Sequence, residues 1–319
     1  MGLTEIYQKG KKILEEKEFG WALDAVETGF ILEHDRHILD RYTFQPQYID
    51  GVEPKTNCRI LDVAMKTPVI MSAMTMPIPA ITDNGLIDVA QALKDAGSLM
   101  WTGTPIPKHL KELVATGVPI AANAKPFKDR DKLFRDLEGI QKAGVTWVGI
   151  ETDAGQGTKI HDKQNVSDCA PLSLQELRDI RKKASCPLIC KGILSCRDAE
   201  KCVEAGADGM VISNHGAHTL DYLPHALQVM DEIVAAVGGK ALLIVDGGFR
   251  RGSDVLKGLA FGASLVGLGR PILYALAAEG REGVYNLISE ITVEMKRIMS
   301  LIGAGDPGEL RRDMLIEDP

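Results

Sequence analysis

The chain has 319 residues, 45% hydrophobic and 25% charged, with a formal net charge of -7. That length buries one large α/β core or two ordinary ones, and the acidic balance argues against a nucleic-acid partner, whose phosphates want a basic surface. No apolar run reaches the roughly 18 residues that a membrane span needs. The six cysteines include no CxxC pair, no signal segment precedes them and no metal-site spacing is seen, so a reduced, cytoplasmic protein is expected.

Residues 1–60 read as a helical cap. Helices are expected over Thr4–Glu18, Gly20–Phe30 and Ile31–Tyr42, followed by turn formers from Thr43 to Arg59. Residues 61–319 repeat a pattern of short apolar run, loop and helix. The runs are Pro68–Met71, Ser98–Trp101, Pro119–Ala122, Thr146–Ile150, Pro187–Cys190, Gly209–Ile212, Ala241–Val245 and Ser264–Gly267. Helices are expected between them over Asp88–Ala96, Leu110–Ala115, Asp129–Ala143, Leu174–Lys183, Ala199–Val203, Ala226–Val237 and Gly252–Phe261. Gly144 suits a C′ position and Ser195 an N-cap.

Eight such runs predict an α/β fold, a (β/α)8 TIM barrel with a small N-terminal helical segment. The rival is a doubly wound open sheet. It wants a glycine fingerprint after its first strand, where this chain has SAMTMPIP. The glycine-rich loops instead follow the seventh and eighth runs, where barrels commonly hold a phosphate.

Residues just past the strand ends face the mouth of such a barrel. Lys191 ends the fifth run and is either a surface lysine or a fixed cation for an anionic ring or substrate. Ser213, Asn214, His215 and Gly216 follow the sixth, and a histidine there suits a base near neutral pH; the alternative is a structural hydrogen bonder. His218 lies three residues on. Asp246, Gly248 and Arg250 follow the seventh run, and Gly269 and Arg270 the eighth; glycine amides and arginine forks are phosphate ligands unless the glycines serve only tight turns. Asp153 follows the fourth run and suits a partner for His215. Glu151 beside it is unexpected if an anion binds nearby.

Three stretches carry a resemblance: KGILSCRDAEKCVEAGADG (191–209), SNHGAHTLDY (213–222) and VDGGFRRGSDVLKGLAFGASLVGLGRP (245–271). Together they resemble the FMN-dependent 2-hydroxy-acid dehydrogenases and oxidases, glycolate and lactate oxidases included. The resemblance is strong from Pro187 to Gly283, weaker back to Pro68, and poor over the first sixty residues; a tail helix over Asn286–Leu301 also fits. It implies an FMN-dependent oxidoreductase that turns a 2-hydroxy acid into the 2-oxo acid. By that resemblance Lys191 stabilises charge on the reduced flavin, and His215 takes a proton from the substrate hydroxyl or α-carbon, paired with Asp153. Asp246, Gly248, Arg250, Gly269 and Arg270 surround the phosphate and ribityl chain. Ala73, Met74 and Thr75 line the flavin, with Thr102, Asn123, Glu151 and Ser213 as further cofactor contacts.

The departures concern the substrate. The family usually has arginine at the position of His218 and another in the loop after the fourth strand. That loop here reads DAGQGTKIHD (153–162), with Lys159 its nearest cation. Lys125 stands near the place of a family tyrosine, and Glu151 where a threonine usually approaches the flavin. Lys125, Lys159 and His218 are the substrate-binding candidates. The alternatives are a non-carboxylate alcohol, chemistry like that of the type 2 isopentenyl diphosphate isomerases, or a non-catalytic flavin-binding protein. The electron acceptor is left open among oxygen, a quinone and a partner protein. The family resemblance implies a homotetramer or homo-octamer.

Overall fold

The computed structural model describes residues 1–160, 163–166 and 168–318. At its centre stand eight strands: β1 (Val69–Met71), β2 (Met100–Thr102), β3 (Ile120–Ala124), β4 (Trp147–Glu151), β5 (Leu188–Ile193), β6 (Gly209–Ile212), β7 (Leu242–Val245) and β8 (Leu265–Leu268). Every ladder between them is parallel, and β8 returns to β1 with Gly267 opposite Ile70. At the remaining seam β1 and β2 share no ladder. There the Met71 amide donates to the Leu99 carbonyl and the Met74 amide to the Trp101 carbonyl, each at 3.1 Å. The sheet is a nearly closed (β/α)8 barrel, and each expected run overlaps one strand.

Side chains of period two divide the strand residues between two cores. Ile70, Trp101, Ala121, Trp147, Ile189, Val211 and Ile244 turn inward and fill the barrel. The neighbours of several, such as Val69, Met71, Met100, Ala122, Val148, Cys190 and Met210, belong to the outer core under the helices. A hairpin of Cys58–Ile60 and Val63–Met65 packs Val63 and Met65 on the inner cluster, so it plugs the end at which the strands begin.

The helices longer than one turn are α1 (Leu3–Glu16), α2 (Phe30–Asp40), α3 (Gly85–Ala96), α4 (Leu110–Ala115), α5 (Arg130–Lys142), α6 (Leu174–Lys183), α7 (Cys196–Glu204), α8 (Ala226–Val237), α9 (Gly252–Ala260) and α10 (Arg270–Leu301), with a single turn at Ile78–Ile81 before α3. Their ends follow local chemistry. Asp129, Ser173 and Ser195 accept backbone N–H bonds as N-caps, and Gly97 and Gly238 end α3 and α8 in the left-handed region. The expected Asn286–Leu301 helix is the second half of α10, which breaks at Glu279 and Gly280.

One expected helix is overturned. Gly20–Phe30 contains only a short 3₁₀ turn at Gly20–Ala22. Glu27 and Gly29 adopt φ of 53° and 72°, and the Val26 amide is taken by Ala217, across the barrel mouth. The amides of Thr28, Phe30 and Ile31 donate to the Asp221 carboxylate, so a residue of the β6 loop caps α2 from a distance. The expected Ile31–Tyr42 helix also ends early. Tyr42–Phe44 is instead a strand, paired antiparallel with Leu315–Glu317.

Candidate active site

The strands place their C-terminal ends on one face, and most of the expected site residues gather there. Lys191 lies near the end of β5, 2% exposed. Its side chain shares a cavity with Ser72, Ala73, Trp101, Asp246 and Gly267. Asp153 sits on a 3₁₀ turn after β4, anchored where the Thr152 hydroxyl donates to the Lys191 carbonyl at 2.8 Å. Gly192 makes room for it: a Cβ there would lie 2.1 Å from Asp153 Cγ.

His215 Nδ1 is 2.7 Å from Asp153 Oδ2. The backbone of His215, Gly216 and Ala217 runs at φ of 59°, 60° and 65°. Two of these are not glycines, so the turn holds strain of order 1–3 kcal/mol per residue. Its restraints are local: the His215 amide donates to Ser213 Oγ, and the Gly216 amide to Asn214 Oδ1. Burial works to raise the Asp153 carboxyl, but His215 and then Lys191 outweigh it and hold it below the usual carboxylate range. Asp153 is therefore ionised at neutral pH and can stabilise a charged His215.

A second polar chain crosses the mouth. The Trp101 indole N–H donates to Asn123 Oδ1 at 2.7 Å, the Asn123 amide donates to Glu151 Oε1 at 3.2 Å, and Lys125 Nζ donates to Glu151 Oε2 at 2.5 Å. Burial pushes the Glu151 carboxyl up, but Lys125, then His215 and Lys191, bring it down to about 2. The anion that seemed misplaced at a strand end is thus compensated by cations.

The three substrate-binding candidates differ in their surroundings. Lys125 is buried against Glu151. Lys159 is 43% exposed at its side chain and 3.9 Å from Glu27. His218 is depressed to about 3 by burial, then by Arg270 and His215, so it is neutral at physiological pH. His161 and Asp162 of the same loop lie outside the described residues.

The glycine turns carry the rest. Gly247 and Gly248 adopt φ of 101° and 74°. Arg270 Nη2 donates to the carbonyls of Asp24 and Gly216 at 2.7 and 2.9 Å. Arg250 is exposed; its amide donates to Asp254, and its carbonyl accepts from the Tyr7 hydroxyl. Gly269 precedes α10. Thr75 donates to the Gly103 carbonyl at 2.9 Å, Thr102 is fully buried, and Met74 joins the outer core.

Three contributors were not singled out in the sequence. Asp35 of α2 is 4% exposed and accepts from Asn214 Nδ2 at 2.8 Å; burial, opposed by the Asn214 bond, raises its carboxyl to about 7. Its signal was a carboxylate on the buried stripe Ile31, Asp35, Ile38, Leu39. His225 is fully buried at the start of α8, and Ser72 follows β1. Among the described residues, Ser72 Oγ, Asp153 Oδ1, Lys191 Nζ, His218 Nε2, Asp246 Oδ1 and Arg270 Nε are buried without a hydrogen-bond partner. Thr82 Oγ1, Thr104 Oγ1 and Trp147 Nε1 are unpaired as well. Unpaired buried polar atoms are rare, and the first six lie on residues near or after the ends of the barrel strands. FMN, with its phosphate, hydroxyl chain and polar ring edge, offers complementary groups, so the residues present fit it.

The comparisons with known proteins agree. Residues 10–167 and 156–317 match the model of a family described as FMN-dependent dehydrogenase, so the match reaches well into the first sixty residues, where the resemblance was expected to be poor. Glycolate oxidase 3 of Arabidopsis thaliana is 28% identical over 358 residues, covering 100% of this chain and 97% of its own. An L-lactate oxidase of Nostoc sp. is 29% identical over 345 residues, with 95% and 94% covered. A crystal structure of mandelate oxidase superposes with a TM-score of 0.90 at 27% identity, covering 99% of this chain and 97% of that one.

Proposed function

The chain belongs to the FMN-dependent dehydrogenase family, and we propose that it oxidises a 2-hydroxy acid to the 2-oxo acid. The observation that carries this reading is the His215–Asp153 contact at 2.7 Å beside the unpartnered Lys191 ammonium. FMN, when bound, supplies the two-electron acceptor for the hydrogen that leaves the α-carbon. The protein holds and moves protons around it. His215 takes the proton from the substrate hydroxyl or α-carbon, and Asp153 keeps the ring oriented and stabilises its charged form. Lys191 faces the developing negative charge. Ala73, Met74, Thr75, Thr102, Asn123, Glu151 and Ser213 line the cofactor, while Asp246, Gly248, Arg250, Gly269 and Arg270 hold its phosphate and ribityl chain. The first sixty residues act as a cap on residues 61–319, joined to the mouth through the Asp35–Asn214 bond.

Lys125, Lys159 and His218 are the candidates to hold the substrate carboxylate. A second reading has one specific observation in its favour. Lys125 is neutralised by Glu151, Lys159 lies beside Glu27 and His218 is neutral, which suits an uncharged alcohol or amide better than an acid. Anaerobic mixing of the FMN-loaded protein with a panel of 2-hydroxy acids and their amides separates the two. Bleaching of the flavin by acids is expected; bleaching by amides alone selects the second reading. Bleaching by neither, with dithionite still effective, sinks both. His215→Ala should lower the rate by at least about 10²-fold, and an unchanged rate removes it as the base.

Among the described residues no helix is long and apolar enough to cross a membrane. A cytoplasmic homotetramer or homo-octamer, reoxidised by oxygen, a quinone or a partner protein, completes the proposal. Sedimentation and reoxidation of the bleached flavin by each acceptor test those points.

A further inference from the structure

His225 is fully buried at the N-terminus of α8, and both of its ring nitrogens are engaged. Nδ1 accepts the Leu227 amide at 3.2 Å. In the neutral ring that assigns the single proton to Nε2, which lies 3.0 Å from the Gly247 carbonyl and donates to it. Burial lowers the imidazole to about 4, so this tautomer holds at neutral pH. Phe249, two residues further along the same turn, packs its ring 5.6 Å from the imidazole.

The bond to Gly247 controls more than one carbonyl. The Gly247–Gly248 peptide is trans, and a planar trans peptide points its N–H away from its C=O. Drawing the Gly247 carbonyl onto α8 therefore turns the Gly248 N–H to the opposite side. Neither glycine has a side chain to resist rotation of that plane, so its direction must come from a partner. Among the described residues the Gly248 amide itself meets no acceptor. The next plane is held in the same way, by Arg36 Nη1 at 3.3 Å from the Gly248 carbonyl.

We propose that His225 is a positioning residue that aims the Gly248 amide at the phosphate of bound FMN. The inference rests on the reading of Gly247–Gly248 as the phosphate turn. It assigns His225 two separable tasks, capping α8 through Nδ1 and orienting the turn through Nε2.

Riboflavin, which lacks the phosphate, is the control. FMN and riboflavin are titrated into flavin-free full-length protein and followed by quenching of flavin fluorescence. Wild type should bind FMN much more tightly than riboflavin. His225→Ala should weaken FMN about tenfold, or roughly 1.4 kcal/mol, and leave riboflavin unchanged. His225→Asn retains a side chain that caps helices well, but its amide stops short of the Nε2 position. It should restore thermal stability while keeping the FMN defect. If His225→Asn binds FMN as wild type does, the histidine is only a cap and the proposal is wrong. Equal loss of FMN and riboflavin in His225→Ala also overturns it, because the damage is then not phosphate-specific. Equal affinity of wild type for the two flavins overturns the phosphate-turn reading itself, and the proposal with it.

Discussion

Gly192 has φ of 92°, and a Cβ there would meet Asp153 Cγ at 2.1 Å. Both facts oppose any side chain, so Gly192→Ala must move either its own backbone or the Asp153 carboxylate. Displacing that carboxylate removes the 2.7 Å contact to His215. Flavin reduction in Gly192→Ala should slow by roughly 10²-fold, the typical cost of a misplaced catalytic group, with FMN content retained. Stopped-flow reduction beside the absorbance ratio of flavin to protein checks both halves. Lys191 offers a second test. Its ammonium is buried without a hydrogen-bond partner, but its charge helps to hold the buried Asp153 and Glu151 carboxyls down, and removing one member of a buried charge cluster leaves the others uncompensated. Lys191→Met should therefore lower the melting temperature of the flavin-free protein as well as weaken FMN binding; a raised melting temperature would show that burying the ammonium costs more than its attraction to the two carboxylates returns.

At the scale of elements, α1 packs against α10. Gly10 of α1 is buried, and a Cβ there would fall 2.0 Å from the Tyr274 carbonyl oxygen. Helix propensity alone favours alanine over glycine by about 1 kcal/mol. The clash is with backbone of a packed helix, and overpacking of that kind costs about 1–3 kcal/mol or more. Contact should win, so Gly10→Ala is expected to destabilise, seen as a lower urea midpoint with unchanged slope. A stabilised variant would mean that α1 can slide on α10. The positions of most helices and all eight barrel strands could be read from sequence because their signals are local: apolar runs, N-cap oxygens, glycine stops. The Gly20–Phe30 segment misled because the bonds that unwind it come from Ala217 and Asp221, nearly two hundred residues away.

At the scale of the whole molecule, buried titratable groups set the response to acid. His218 and His225 are depressed to about 3 and about 4, so each favours the folded state fully above its ordinary value of about 6.5. That contribution is lost as pH falls below 6.5 towards the folded values. Asp35, raised to about 7, works the other way, since the folded protein holds its proton more tightly than the unfolded chain between pH 7 and about 4. Two histidines against one carboxyl leave a net loss of about one proton, or about 1.4 kcal/mol per pH unit, between 6.5 and 4. Below about 4.5 the depressed carboxyls Glu151 and Glu176 add to the loss. Urea unfolding across this range should show that slope, and His225→Asn should flatten it. An unaltered slope in that variant would mean that His225 is not neutral in the fold.

Sequence by itself determined the barrel, the flavin and the residues at the strand ends, because each is written in a short stretch: an apolar run, DGGFRRG, SNHG, a lysine directly after a strand. Which of those residues touch was decided only by tertiary structure. Closing the barrel brings Asp153 against His215 and Glu151 against Lys125, and it lays α2 and the start of α8 against the Gly247 turn. Compensation of charge is a property of distance in space, and no local pattern encodes it. That is why Glu151 looked misplaced, why the three side chains offered for the substrate looked equivalent, and why Asp35 and His225 passed unnoticed among ordinary helix residues.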